Sequence, residues 1–309
     1  MSRQTENKLV LIRRKTRLEE LVVRFNTVAQ ARFYVEHLGS DFSDYQNEDA
    51  RYKQALRTAE EILSGLGRLQ TVSREHVPNF IFGPQDIVIA VGQDGLVANT
   101  LKYLDGQPLI GVNPDPARWD GALLPFQVAD LHKLLPDVFA GRRPIGEVSM
   151  AKATLNDGQS ICAVNDLFIG QKSHVSARYH IQHGENAEDQ SSSGIIVSTG
   201  LGATGWLKSV VAGAAGVMGA EENISIPAGR QAWSADYLQF TVREPFPSRT
   251  TGANIVFGRV SAQQPMHITS YMPENGVIFS DGVESDFLEF RSGVVAEISV
   301  TEKKGRLVL

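Results

Sequence analysis

The chain has 309 residues, 42% hydrophobic and 21% charged, with a formal net charge of −5. That length suits two domains, because single cores stop growing near ~250–300 residues, and the composition is that of a globular protein rather than a disordered one. No apolar run reaches the ~20 residues of a bilayer span, Met1 to Lys8 lacks the apolar core of a secretory signal, and the net charge shows no nucleic-acid footprint, so a cytoplasmic protein without membrane or nucleic-acid partners is expected.

Leu9 to Ile12 reads as a short apolar strand. Arg13, Arg14, Lys15 and Arg17 follow as the densest basic cluster, either a solvated strand end or a patch attracting a nucleotide's phosphates. Thr16 and Glu19 form a capping-box signature ahead of Leu18, Leu21, Val22 and Phe25, which predicts a helix. A second helix is predicted from about Glu48 to Leu63, with Tyr52, Ala55, Leu56, Ala59 and Ile62 at helical spacing and a stop at Gly65. A buried strand Ile87 to Ala90, a helix from about Leu96 to Leu104 and a strand Leu109 to Val112 complete the pattern. Alternating strands and helices predict a parallel, doubly wound, Rossmann-like α/β domain over residues 1–145.

Beyond about Gly146 helical periodicity gives way to short apolar runs separated by turn signals. Asn156-Asp157-Gly158 predicts a hairpin turn between about Val148 to Leu155 and Ser160 to Val164. Strands are also expected at Ser176 to Gln182, Ile195 to Thr199, Leu238 to Val242, Ile255 to Val260, His267 to Tyr271, Val277 to Phe279, Phe287 to Phe290 and Val294 to Val300. Residues 146–309 are therefore expected to form a β-rich, sandwich-like domain. Gln190 to Gly194, a Gln-Ser-Ser-Ser-Gly piece, is expected to be a flexible loop end, and the single cysteine, Cys162, a buried and inert thiol.

The turn Val91-Gly92-Gln93-Asp94-Gly95-Leu96, directly after a buried strand, carries the chemistry. Glycines at a strand's carboxyl end let phosphate approach backbone N–H groups, and Asp94 would project where a hydroxyl can be deprotonated. The alternative is a surface turn in which Asp94 only accepts a hydrogen bond. Gly200-Leu201-Gly202-Ala203-Thr204-Gly205 is a literal G-x-G-x-x-G followed by a candidate helix from Trp206 to Gly219. It fails as a dinucleotide fingerprint, because Glu221 and Glu222 follow helix rather than a second parallel strand, and Leu207 before Lys208 rules out a P-loop. No zinc-ligand spacing is present, and His174, His180 and His183 share no helical face.

Four segments in order resemble the NAD kinase family. Gly92, Asp94 and Gly95 match its G-G-D-G-T signature, Pro108-Leu109-Ile110-Gly111-Val112-Asn113 looks like the strand that follows, and Asn165-Asp166 is similar to its Asn-acidic pair. Ser198-Thr199-Gly200-Leu201-Gly202-Ala203-Thr204-Gly205-Trp206 resembles S-T-P-T-G-S-T-A-Y, and Asp281-Gly282 falls where a D-G is expected. The texture of Gly111 to Pro116 and Ala163 to Gly170 looks closest to the mitochondrial-type branch.

The resemblance implies the NAD kinase and diacylglycerol kinase-like fold, with an active site between an α/β domain and a β-rich dinucleotide-binding domain. It implies Asp94 as catalytic base, Gly92 and Gly95 facing phosphate, Asn165 and Asp166 on a ribose, Thr204, Gly205 and Trp206 at the adenine end, and Ser209 one turn further on. ATP as donor, NAD as acceptor, Mg²⁺ and a homo-oligomer, dimer or tetramer, are implied with it. Gln93 and Leu96 replace a glycine and a threonine of the signature, and Gly200, Leu201 and Ala203 replace a proline and two hydroxyl residues. A glutamine held at positive φ would cost ~1–2 kcal/mol. These departures keep two alternatives open, a related kinase acting on a sugar or lipid head group and a non-catalytic nucleotide-binding protein.

Overall fold

The computed structural model describes residues 5–219 and 229–309; Glu221 and Glu222 lie outside them. The chain folds as two compact units, one of residues up to Ile145 together with Arg306–Leu309, the other Gly146–Gly305.

The first unit opens with β1 (Lys8–Arg13), whose Leu9 to Ile12 are fully buried, contributing ~1.5–3 kcal/mol per side chain by area removed from water. Thr16 then caps α1 (Arg17–Phe25): its side chain accepts from the Glu19 N–H and the Glu19 carboxylate accepts from the Thr16 N–H, the predicted capping box. α2 (Val28–His37) was not legible, because only Ala31 and Val35 are buried and no apolar stripe forms. α3 (Phe42–Leu66) starts earlier than the periodicity predicts because Asp41 caps it on the Ser43 N–H. There follow β2 (Arg68–Ser73), β3 (Ile87–Val91), α4 (Asp94–Leu101), β4 (Pro108–Asn113), β5 (Phe126–Gln127), α5 (Leu131–Phe139) and β6 (Ile145–Val148). β2 escapes the sequence pattern because its residues are mostly exposed, with only Val72 buried.

The sheet runs β2-β1-β3-β4, then the C-terminal strand Gly305–Val308, then β6, with β5 against β4. β1 pairs in parallel with both β2 and β3, and β4 in parallel with β3 and the C-terminal strand. Connections leave β1 toward β2 on one side and β3 on the other, which is the switch point where doubly wound sheets bind ligands at their strands' carboxyl ends.

The second unit stacks two 6-stranded sheets. Its elements are β7 (Ala151–Leu155), β8 (Ser160–Ala163), β9 (Asp166–Gln171), β10 (Ala177–His183), β11 (Asn186–Ser192), β12 (Ile195–Ser198), α6 (Trp206–Met218), α7 (Arg230–Trp233), β13 (Tyr237–Val242), β14 (Phe257–Ser261), β15 (Met266–Ser270), β16 (Gly276–Ser280), β17 (Val283–Glu289) and β18 (Val295–Val300). One sheet is β11-β10-β15-β18-β7-β8 and the other β14-β13-β12-β9-β16-β17. Ile181, Ile268 and Ile298 from the first meet Ile169, Val197, Phe240 and Ile278 from the second in one core, a β-sandwich. The predicted hairpin joins β7 and β8, with Gly158 at φ 90 in its turn.

Two expectations are corrected. Gln190 to Ser192 is not a loop end but the last part of β11, with Gln190 and Ser192 buried. The buried Tyr179 hydroxyl donates to Gln190 Oε1 at 2.9 Å and lies 2.8 Å from Ser192 Oγ, so these polar residues are strand residues because a buried phenol needs partners. Cys162 is half-buried on β8, where alternation turns it away from the core.

Candidate functional site

In the first unit the turn after β3 is held from below. The Gly92 N–H donates to the Val112 carbonyl at 3.1 Å, and the buried Tyr52 hydroxyl donates to the Val91 carbonyl at 2.9 Å while accepting from the Arg14 N–H at 2.9 Å. Burial pushes the Tyr52 phenol up to about 12, so it stays a donor. Gln93 is the residue preceding α4, at φ −117, an ordinary extended conformation; the strain expected for glutamine at positive φ does not arise.

Asp94 is the first residue of α4 and its carboxylate accepts from the Leu123 N–H at 2.8 Å and the Ala122 N–H at 3.3 Å. The loop after β4 thus fixes its orientation. That loop can lie so close only because Gly111 has no side chain: a Cβ there would collide with the Leu123 carbonyl oxygen. Buried Asn113 shapes the same loop, donating from Nδ2 to the Trp119 carbonyl at 2.8 Å and accepting from the Asp115 N–H at 3.1 Å.

The two glycines of the motif differ. A Cβ on buried Gly92 would meet Leu96 Cδ2 at 2.7 Å, so the Leu96 side chain folds over this glycine. Gly95 is exposed, with nothing within 4 Å of a Cβ position, and leaves the helix start open to an approaching group.

Three of the four cations of the basic cluster are held in ion pairs, while the Arg13 guanidinium donates to Ser73 Oγ at 3.3 Å. Arg14 pairs with Glu48 at 2.7 Å, Arg17 bridges Glu48 and Asp44, Arg118 reaches Asp44 at 2.5 Å, and Lys15 meets Glu75 at 2.7 Å. Burial works to raise the Glu48 carboxyl, but the Arg17 and Arg14 guanidinium groups hold it below its usual range.

In the second unit Asp281, at φ 52, turns its carboxylate onto the backbone of the Asn165-Asp166 turn. It accepts from the N–H groups of Val164 at 3.0 Å, Asn165 at 2.6 Å and Asp166 at 3.4 Å. Burial, reinforced by the Asp281 charge, pushes Asp166 up to about 7. Its carboxyl can therefore donate or accept near neutrality.

The glycine element lies on the same turn. The Thr199 hydroxyl donates to the Val164 carbonyl at 2.5 Å and accepts from the Gly202 N–H at 3.1 Å. A Cβ at Gly202 would collide with the Asn165 carbonyl oxygen, and one at Gly200 with that of Ala232. β12 pairs antiparallel with β9 and β13, which excludes a Rossmann unit at this G-x-G-x-x-G.

Trp206 opens α6, is 37% exposed, and stacks on Phe168 with centroids 5.6 Å apart at 15°. Phe168 stacks in turn on Phe279 at 6.0 Å, and Arg243 lies 5.5 Å over the indole. Together with Asp166 and Lys172 these side chains line a cavity of about 420 Å³. The structure brings Asp166 and Trp206 into it; Thr204, Gly205 and Ser209 are exposed beside α6 and Asn165 is engaged through its backbone, all outside its lining. Phe168, Phe279, Lys172 and Arg243 were missed by sequence reasoning; Phe279 stood in an expected strand and Phe168 two positions beyond Asp166, where no strand was expected.

The paired α/β and β-sandwich units define the fold of NAD kinases. The structure of an NAD kinase from Archaeoglobus fulgidus in complex with ATP matches with a TM-score of 0.59, 14% identity and 98% of this chain against 93% of that one. Yeast NADH kinase complexed with NADH matches with a TM-score of 0.60, again 14% identical, over 99% of this chain and 84% of that one. A probable NADH kinase of Oryza sativa subsp. japonica is 27% identical over 221 residues, 64% of this chain. The match spans 63% of that curated relative's own length. No protein-family model matches the chain. The chain thus resembles NAD kinases in fold and in sequence. No helix among the described residues is long and apolar enough to cross a membrane.

Proposed function

We propose that the protein is an NAD(H) kinase, moving the γ-phosphoryl group of ATP to the 2′-hydroxyl of the adenosine ribose. The observation that carries this reading is the Asp94 carboxylate, oriented by two loop amides at the start of α4, beside open Gly95 and at the carboxyl end of a switch-point strand. The rice, archaeal and yeast matches support it.

A ribose hydroxyl is a weak nucleophile, so a positioned carboxylate that takes its proton as the phosphoryl group arrives contributes ~10²–10⁴-fold. Asp94 has that role, and Gly95 with the α4 N-terminus faces phosphate; Gly92, covered by Leu96, shapes the turn. Asn165 and Asp166 bind the ribose, an amide and a half-neutral carboxyl matching a diol. Trp206, with Thr204, Gly205 and Ser209 around the start of its helix, serves the adenine end.

Among the described residues no group of three or more His, Cys, Asp or Glu side chains could hold a metal ion. Magnesium enters the proposal as Mg·ATP, bound mainly through the substrate's phosphates. A cytoplasmic homo-oligomer is part of the same proposal, checked by light scattering. The functional test is a steady-state assay with Mg·ATP against NAD, NADH and simple sugars. Phosphorylation of a dinucleotide is expected; phosphorylation of a sugar alone overturns the reading.

A further inference from the structure

We propose that the cavity of the β-sandwich unit carries its own phosphate subsite, formed by Lys172 and Arg243, and so takes an aromatic phosphoester rather than a bare nucleoside. This rests on the nucleotide reading and extends it to two residues that no motif marks.

The aromatic groups lie in a ladder: Trp206 on Phe168, Phe168 on Phe279, and Phe279 edge-on to Phe287 with centroids 5.9 Å apart. A cation closes each end. Arg243 covers the indole, and the Lys172 ammonium sits 4.6 Å over the Phe287 ring. These π contacts hold both charges at the cavity wall without neutralising them. Among the described residues the Lys172 ammonium has no carboxylate partner, and Arg243 has only exposed Glu244 at 3.6 Å.

The other titratable side chains on the wall are those of Asp166 and His174. Polar Ser173, Ser193 and Gln171 complete the rim. Two cations beside stacked rings, with exposed Glu244 the one carboxylate paired to either among the described residues, fit a base carrying phosphates, since guanidinium and ammonium groups bind phosphate oxygens through charge-assisted hydrogen bonds. A cavity of about 420 Å³ is in the range of small-ligand sites.

The test compares NADH, adenosine and inorganic pyrophosphate by calorimetry on the full chain, with Lys172→Gln, Arg243→Gln and the double variant, and Lys172→Arg as a charge-keeping control. Each neutral variant is expected to weaken NADH about tenfold or more, leaving adenosine unchanged, and the double variant to lose most of the salt dependence. Pyrophosphate is expected to bind the wild type and not the double variant. Lys172 is exposed and Arg243 half-buried, so the Lys172→Gln melting temperature should match the wild type and that of Arg243→Gln should fall by no more than a few degrees, with adenosine binding retained as the sign of an intact cavity. Unaltered NADH affinity in the double variant, or no pyrophosphate binding by the wild type, overturns the subsite. Failure of NADH and adenosine alike to bind, with pyrophosphate still captured through Lys172 and Arg243, overturns the nucleotide reading and leaves the subsite standing.

Discussion

The two glycine turns of this molecule do opposite work. In the sandwich unit Gly200 and Gly202 are pressed against carbonyl oxygens, so their missing side chains are filled by neighbouring backbone. In the α/β unit Gly95 faces open space and Asp94 stands beside it, clamped by Leu123 and Ala122. One turn is a packing joint and the other an approach surface. Similar strings of glycine thus acquire different meanings from what lies over them.

The sharpest way to break this contrast is at Asp94. Asp94→Asn keeps acceptor oxygen toward the loop yet removes the base, and turnover should fall ~10²–10⁴-fold with NADH binding retained in calorimetry. Unchanged turnover refutes the role. At the packing joint the loss is in stability instead: Gly202→Ala should cost ~3 kcal/mol, read from urea unfolding, because backbone on both sides must give way. A variant as stable as the wild type contradicts the close approach.

Asp166 sharpens the comparison through pH. Its carboxyl ordinarily titrates near 3.8 and is raised to about 7 in the folded protein. Between these values the native state holds a proton that the unfolded chain has released. Stability should therefore decline as pH rises from about 4 to about 7, by a few kcal/mol, with the loss complete above that window. Asp166→Asn should flatten the slope; an identical slope assigns it elsewhere.

Smaller effects are expected in the signature itself. Leu96→Thr introduces the residue found in the G-G-D-G-T signature of NAD kinases but buries a hydroxyl and uncovers Gly92, costing ~2 kcal/mol by thermal melting. Gln93→Gly should change stability by no more than ~0.5–1 kcal/mol, since Gln93 sits in ordinary backbone space without a capping bond. A gain in stability well beyond that range would show glutamine to be strained after all.

Much of the frame was legible. The Leu9–Ile12 run, the Thr16–Glu19 box and the Asn156–Gly158 turn each carry a local signal that tertiary structure did not override. The polar β11 was not legible, because Gln190 and Ser192 are buried only through the Tyr179 hydroxyl on the neighbouring strand. For the same reason the basic run at Arg13 to Arg17 left two readings open: Asp44 and Glu48, the carboxylate partners of Arg14 and Arg17, lie on α3, far along the sequence. Asp94 could be found from its glycines, whereas its loop clamp and the Trp206–Phe168–Phe279 ladder depend on pairings that no spacing encodes.

The proposed role of Asp94 is to accept the ribose proton during phosphoryl transfer to a dinucleotide. Phosphorus NMR of the wild-type protein and Asp94→Asn, each incubated with NADH and Mg·ATP, tests it most directly. A 2′-phosphomonoester signal that grows with the wild type and is lost with the variant is the predicted result. A signal growing equally in both, or absent from the wild type while NADH is bound, would contradict it.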